Sequence, residues 1–228
     1  MIRILFEKET IYEKASLIIK ESINKILLEK DEVILGLPGG RNVSNILQLL
    51  KKERIDWKKV HAFMVDERLV PTDSQDSNFR LIKQDLSEVI LDKNFHPFIF
   101  NENKHDYCLG DYEKEIKNFG GRYDIVLLSS GEDGHIGSIF PNHPSFFDES
   151  EYYILVDNSP KLPRKRMSIS KNFLLKSKIG ILLFVGDIKR RAYLKFLDKD
   201  VTTSMCPAKL VIELPESYVI TNIESKEN

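Results

Sequence analysis

The chain alternates between short, almost wholly apolar runs and longer stretches in which apolar residues recur every third or fourth position. Residues 8–30 contain neither Gly nor Pro, and Ile11, Ala15, Ile18, Ile19, Ile26 and Leu27 fall at helical spacing among Glu and Lys. That pattern predicts an amphipathic helix. The runs at 31–37, 60–65, 123–128 and 179–185 are predominantly apolar, as in strands buried on both faces of a parallel sheet. Helical patterns follow at 42–52, at 78–90 behind a capping Ser77, at 106–119, and after Gly186. Shorter strand-like runs lie at 96–100, 152–156 and 217–221, and residues 223–228 read as a frayed tail.

Strands alternating with helices predict an α/β fold: a single domain over residues 1–228, with an open, mostly parallel, Rossmann-like sheet and helices on both faces. Glycine clusters at 36–40, at 131–137 and at Gly186 each follow a strand. They are expected to meet Asp66-Glu67-Arg68 along one edge of the sheet. Ligands of such sheets bind beyond the carboxyl ends of the strands.

Charge removes several alternatives. With 34 basic and 35 acidic side chains the formal net charge is -1, which gives no general attraction for nucleic acid or an anionic membrane. No apolar run approaches the roughly 18–20 residues of a membrane span. The start of the chain is charged too early for a signal peptide. A cytoplasmic protein is therefore expected. The two cysteines, Cys108 and Cys206, read as isolated thiols. No apolar surface stripe marks an interface, so a monomer or weak homo-oligomer is expected.

Four strand ends carry the candidate chemistry. In LGLPGGRNVSNIL, the pair Gly39-Gly40 before a helix start offers free backbone N–H groups and the positive end of a helix dipole. Arg41 and Asn42 add a cation and a donor. An ordinary tight βα turn fits the same residues. Asp66, Glu67 and Arg68 end the second strand ahead of a long polar loop; they are either solvated charges or ligand contacts, with Arg68 suited to a phosphate. The third turn holds Gly131, Gly134 and Gly137 with Glu132, Asp133 and His135. His135 lies two residues from Asp133, which can orient its ring for general-base work. A metal site is the competing reading, and one His with one Asp is poor ligand evidence. A plain polar turn histidine is the third. His61, His96, His105 and His143 lack such surroundings and read as surface or structural. Lys189, just past the fourth strand, is either a solvated lysine or a phosphate contact. The proline-broken basic loop 161–166, with Arg164, Lys165 and Arg166, divides the same way.

Taken together, these segments resemble the 6-phosphogluconolactonase family, within the superfamily that also holds glucosamine-6-phosphate deaminases. The resemblance runs over residues 33–192 and rests on five motifs in order: Pro38-Gly39-Gly40, VDERLVPTDSQDSNFR, GEDGHIGSIFP, PRKRMSIS and GDIKRRA. It implies hydrolysis of a sugar-phosphate lactone, 6-phospho-D-glucono-1,5-lactone, by water activated by His135, with Asp133 orienting the imidazole. It implies substrate contacts from Gly39, Gly40, Arg41, Asn42, Asp66, Arg68, Arg166 and Lys189, and neither cofactor nor metal. Deaminases resemble Asp-Glu-Tyr after the second strand and Phe-Asn-Glu-Pro after the histidine turn. Here Arg68 and Ser138-Ile139-Phe140-Pro141 occupy those places. The family's first turn carries small hydroxyl residues where this chain has Arg41-Asn42, which implies a changed phosphate grip. A deaminase and a non-catalytic sugar-phosphate-binding protein are the alternatives.

Overall fold

The structure, a computed structural model, describes residues 1–104 and 106–224. His105 and residues 225–228, the end of the expected tail, lie outside the described residues. The elements run β1 (Ile2–Phe6), α1 (Ile11–Ile26), β2 (Val33–Leu37), α2 (Arg41–Leu50), β3 (Val60–Met64), β4 (Asp66–Arg68), α3 (Asn78–Leu86), β5 (Phe95–His96), α4 (Leu109–Asn118), β6 (Ile125–Ser129), α5 (Pro144–Phe147), β7 (Tyr153–Val156), β8 (Arg166–Ile169), α6 (Lys171–Leu175), β9 (Ile179–Phe184), α7 (Arg190–Leu197) and β10 (Glu216–Thr221).

Seven strands form a sheet in the order β1-β10-β9-β6-β2-β3-β5, every neighbouring pair parallel. The predominantly apolar runs became its centre: every residue of β2, β3 and β9 is buried. α1 packs on α2 and α2 on α3, while α7 packs under β9. The strand order advances in one direction through α1, α2 and α3 and in the other through α7, so the usual right-handed crossover sets α7 on the face opposite the first three helices. The chain winds outward through β2, β3 and β5, then returns to start again at β6 on the other flank of β2. The carboxyl ends of β2 and β6 therefore form the switch point where ligands of such sheets bind.

A second sheet, β4-β8-β7, is antiparallel and was not expected from the sequence. It grows from the end of β3, because only Val65 separates β3 from β4. The Val65 carbonyl accepts from the Ile169 N–H at 2.8 Å. The Tyr123 hydroxyl, itself within 2.8 Å of the Tyr153 hydroxyl, donates to the Met64 carbonyl at 2.9 Å and ties the two sheets. So Asp66, Glu67 and Arg68 are strand residues that overhang the main sheet's carboxyl edge, rather than a loose strand end.

Other expectations need smaller corrections. The strand at 96–100 shrinks to Phe95–His96. β1 forms a further edge strand, paired with β10. Ser77 caps α3 as expected, its hydroxyl accepting from the Arg80 N–H at 3.1 Å. Cys108 and Cys206 are free thiols, and burial raises the pKa of Cys206. No helix among the described residues is long and apolar enough to cross a membrane.

Candidate active site

A cleft of about 380 Å³ opens at the switch point. Gly39, Gly40, Arg41, Asn42, Asp66, Arg68, His135, Arg166 and Lys189 all line it. Asp133 stands behind His135, one hydrogen bond from the lining. Residues far apart in sequence thus converge because their strands end at one edge.

The β2 turn is built around Gly39 and Gly40. A Cβ on Gly39 would meet Asn78 Oδ1 at 1.9 Å, so only glycine lets α3 approach this closely. Gly40 has φ +111°, which side chains rarely adopt. It precedes α2 with no side-chain cap, leaving the first backbone N–H groups of the helix without a capping partner where Gly40, Arg41 and Asn42 line the cleft. Asn42 is held by the Tyr12 hydroxyl, which donates to its Oδ1 at 2.9 Å. The exposed Arg41 guanidinium makes no hydrogen bond or ion pair with any described residue.

The second motif divides into separate tasks. Glu67 is buried and accepts from the N–H groups of Arg68, Asn78 and Phe79 and from the Ser77 hydroxyl, at 2.7–3.0 Å. Burial raises its pKa and these bonds lower it in part. Glu67 therefore anchors the start of α3 and faces away from the cleft. Asp66 accepts from Asn78 Nδ2 at 3.2 Å and from the Ser138 hydroxyl at 3.1 Å, tying the histidine turn to α3. Arg68 Nη1 donates to the Asp76 carbonyl at 2.7 Å, and its Nε is buried with no partner among the described residues.

The histidine turn leaves β6 at Ser130. His135 Nδ1 lies 2.5 Å from Asp133 Oδ1, and the His135 backbone N–H donates to the same oxygen at 3.1 Å. Burial pushes the Asp133 carboxyl up, but the bonds and charge of His135, with Lys161, outweigh it and hold the carboxyl far below its usual range. An ionised carboxylate only accepts, so Nδ1 carries the hydrogen, and in the neutral imidazole Nε2 is then the acceptor. Gly131 makes room for the ring: a Cβ there would meet Nδ1 at 2.0 Å. Phe140 packs on the imidazole, centroids 4.7 Å apart. Of the turn's backbone N–H groups, those of Glu132 and Gly137 border the cleft and have no partner among the described residues.

Lys189 closes a 3-10 turn (Asp187–Lys189) one residue before α7, and its ammonium donates to the Ser130 carbonyl. Burial first, then Lys161, lower its pKa, with Glu132 and Asp133 opposing them. Arg166 reaches the cleft; Arg164 and Lys165 of the same loop do not. Asn78, Glu132 and Lys161 line the cleft as well and were not singled out as ligand contacts. Five cations face two carboxylates along the lining, which favours an anionic ligand. The described residues hold no group of three or more metal-ligating side chains. His61 and His96 are buried structural residues, and His143 caps α5, its Nδ1 accepting from the Ser145 N–H at 3.1 Å.

The family model for glucosamine-6-phosphate isomerases/6-phosphogluconolactonase matches residues 7–220. The chain belongs to that family. It is 36% identical over 208 residues to the 6-phosphogluconolactonase of Borreliella burgdorferi, covering 88% of each chain. It is similar to the solved 6-phosphogluconolactonase of Thermotoga maritima, with TM-score 0.86 and 25% identity over 97% of this chain and 99% of that one. The Trypanosoma cruzi 6-phosphogluconolactonase shares the fold at TM-score 0.84 and 22% identity, over 97% of this chain and 94% of that one. In this chain the residue ahead of Pro141 is the buried Phe140, an aromatic neighbour of His135 rather than an acid.

Proposed function

We propose that the protein hydrolyses 6-phospho-D-glucono-1,5-lactone to 6-phospho-D-gluconate, the second step of the oxidative pentose phosphate pathway. The observation that carries this reading is the His135–Asp133 pair at 2.5 Å, its free Nε2 on a cleft also lined by Arg68 and Lys189. The lactone carbonyl is already electrophilic, so no covalent nucleophile, cofactor or metal is required.

His135 Nε2 takes a proton from water as the oxygen attacks C1; collapse of the tetrahedral adduct then breaks the C1–O5 bond, and the His135 imidazolium returns the proton to the leaving ring oxygen. Asp133 holds the ring in the right tautomer and stabilises the imidazolium that forms. The tetrahedral oxyanion is met by unpartnered N–H groups at Glu132 and Gly137. Arg68, Lys189 and the 39–42 turn hold the 6-phosphate, and Asp66 and Arg166 line the same cleft beside them. Anchoring the phosphate fixes C1 near the base and discriminates against unphosphorylated sugars. Where the family's first turn has small hydroxyl donors, Asn42 supplies a donor and Arg41 a positive charge. Phe140 and Arg68, where deaminases have Glu and Tyr, favour the lactonase over ammonia release.

One core of buried residues runs from α1 to β10, which supports a single domain. It acts in the cytoplasm on a small soluble substrate, as a monomer or weak homo-oligomer. The test is lactone opening against a no-enzyme blank at slightly acid pH, where spontaneous opening is slow. A rate at the blank, or ammonia released from glucosamine 6-phosphate, overturns the reading. Binding of 6-phosphogluconate without turnover would point to the non-catalytic alternative.

A further inference from the structure

Arg166 spends its guanidinium on its own loop. Nε donates to the Pro163 carbonyl at 2.9 Å, and Nη2 to the carbonyls of Leu162 and Lys161 at 3.1 and 3.2 Å. Three consecutive carbonyls converge on one buried side chain. The remaining Nη1 faces Asp66 Oδ2 at 3.8 Å. A lysine has no planar fork with which to reproduce this clamp.

What the clamped loop delivers to the cleft is Lys161. Its ammonium lies 2.6 Å from Glu132 Oε1, on the turn that carries Asp133 and His135. It lines the cleft together with Lys189, and the two cations repel. Two ammonium groups facing one cleft are unfavourable unless something anionic comes between them. Glu132 is about half exposed, and its attraction for Lys189 opposes the repulsion by Lys161.

We propose that Lys161 is a further ligand-contacting residue, which completes the site for the phosphate ester opposite Lys189, and that Arg166 is the positioning residue that holds it there. The inference rests on the sugar-phosphate reading of the cleft. On binding, the Lys161 ammonium exchanges Glu132 for a phosphate oxygen. Arg166 acts through the backbone of residues 161–163 and does not itself grip the phosphate.

The experiment compares Lys161→Gln, Arg166→Lys and the double variant, with KM and kcat for the lactone and Kd for 6-phosphogluconate. Lys161→Gln is expected to raise KM and Kd about tenfold or more with kcat within about threefold of wild type. Arg166→Lys keeps the charge and loses the fork, and is expected to raise KM equally. The double variant should be no worse than either single one, because both remove the same contact. Wild-type KM in Lys161→Gln overturns the contact. Wild-type KM in Arg166→Lys, or effects that multiply in the double variant, overturn the positioning role. Should Arg166→Lys not fold, Arg166→Gln carries the same comparison. Wild-type protein that neither opens the lactone nor binds 6-phosphogluconate contradicts the sugar-phosphate reading itself. A competent wild type with an indifferent Lys161→Gln contradicts this inference alone.

Discussion

Arg68 and Arg166 stand directly opposite one another across the antiparallel pairing of β4 with β8. Like charges so placed destabilise a sheet. The cost is compounded at Arg68, whose Nε is buried without a partner. Burial and Arg68 both lower the Arg166 pKa and Asp66 opposes them, although a guanidinium stays charged throughout. Such an arrangement is tolerated where an anion relieves it. Arg68→Met should therefore raise KM at least about tenfold while leaving the ligand-free Tm unchanged or higher. Saturating 6-phosphogluconate should stabilise the wild type, by about 2.7 kcal/mol at a hundred times Kd, and the variant far less. A variant whose Tm responds to ligand as the wild type does would show that Arg68 is not on the phosphate.

Gly131 tests the geometry of the base without touching it chemically. An added Cβ would sit 2.0 Å from His135 Nδ1, so the ring must swing away from Asp133. The displaced atoms belong to a side chain, so folding should suffer little. Gly131→Ala is expected to lower kcat about 10²-fold or more, with stability within about 1–2 kcal/mol of wild type. Near-wild-type turnover would mean that the ring position is not critical.

The lowered pKa of Lys189 has a sign that binding experiments can read. Burial, then Lys161, make its ammonium lose a proton below the ordinary 10.5. A bound phosphate favours the charged form and restores it. Affinity for 6-phosphogluconate should fall as pH rises through the alkaline range, before an exposed lysine would titrate, and binding there should take up a proton. Lys189→Arg should move the fall to higher pH. Titration calorimetry in two buffers of different ionisation enthalpy checks this, and an affinity flat to about pH 10 speaks against it.

His61 gives the fold an acid weakness away from the cleft. Its Nδ1 lies 2.9 Å from His96 Nε2, its Nε2 lies 3.4 Å from Glu32, and His96 Nδ1 lies 2.6 Å from Glu115. Burial lowers the His61 pKa below 6.5, against the attraction of Glu32 and with the repulsion of His96 and Lys93. Charging this group costs more in the folded state than in the unfolded one. Its contribution to stability is whole above the unfolded value near 6.5 and is lost as pH falls below it. Tm should drop more steeply between about pH 7.5 and pH 5 in the wild type than in His61→Gln. Parallel slopes would contradict the assignment.

Much of this was legible in the sequence because it is local. Buried parallel strands advertise themselves as predominantly apolar runs, and the glycine turns mark where β2 and β6 end. What the sequence hid is non-local or carried by backbone. Asp66-Glu67-Arg68 is too polar and short to read as a strand; it becomes one only by pairing with Arg166–Ile169, about a hundred residues away. β1 hides for a similar reason: an edge strand with partly exposed residues and Arg3 in its middle has no buried periodicity. Glu67 looks like its neighbours in sequence, yet its carboxylate is used up on α3. Lys161 lay inside the noted basic loop, but nothing in PKLPRKR says that Arg166 turns back onto its own carbonyls while Lys161 turns forward.

The central claim is that His135 activates water against a phosphorylated lactone. Its most direct test is the turnover of 6-phospho-D-glucono-1,5-lactone by wild-type and His135→Ala protein, each corrected for spontaneous opening, with 6-phosphogluconate affinity measured alongside. The account predicts wild-type turnover well above the blank, a loss of about 10²–10⁴-fold in His135→Ala, and nearly unchanged affinity for 6-phosphogluconate. An unchanged kcat in His135→Ala, or wild-type protein no faster than the blank, would contradict it.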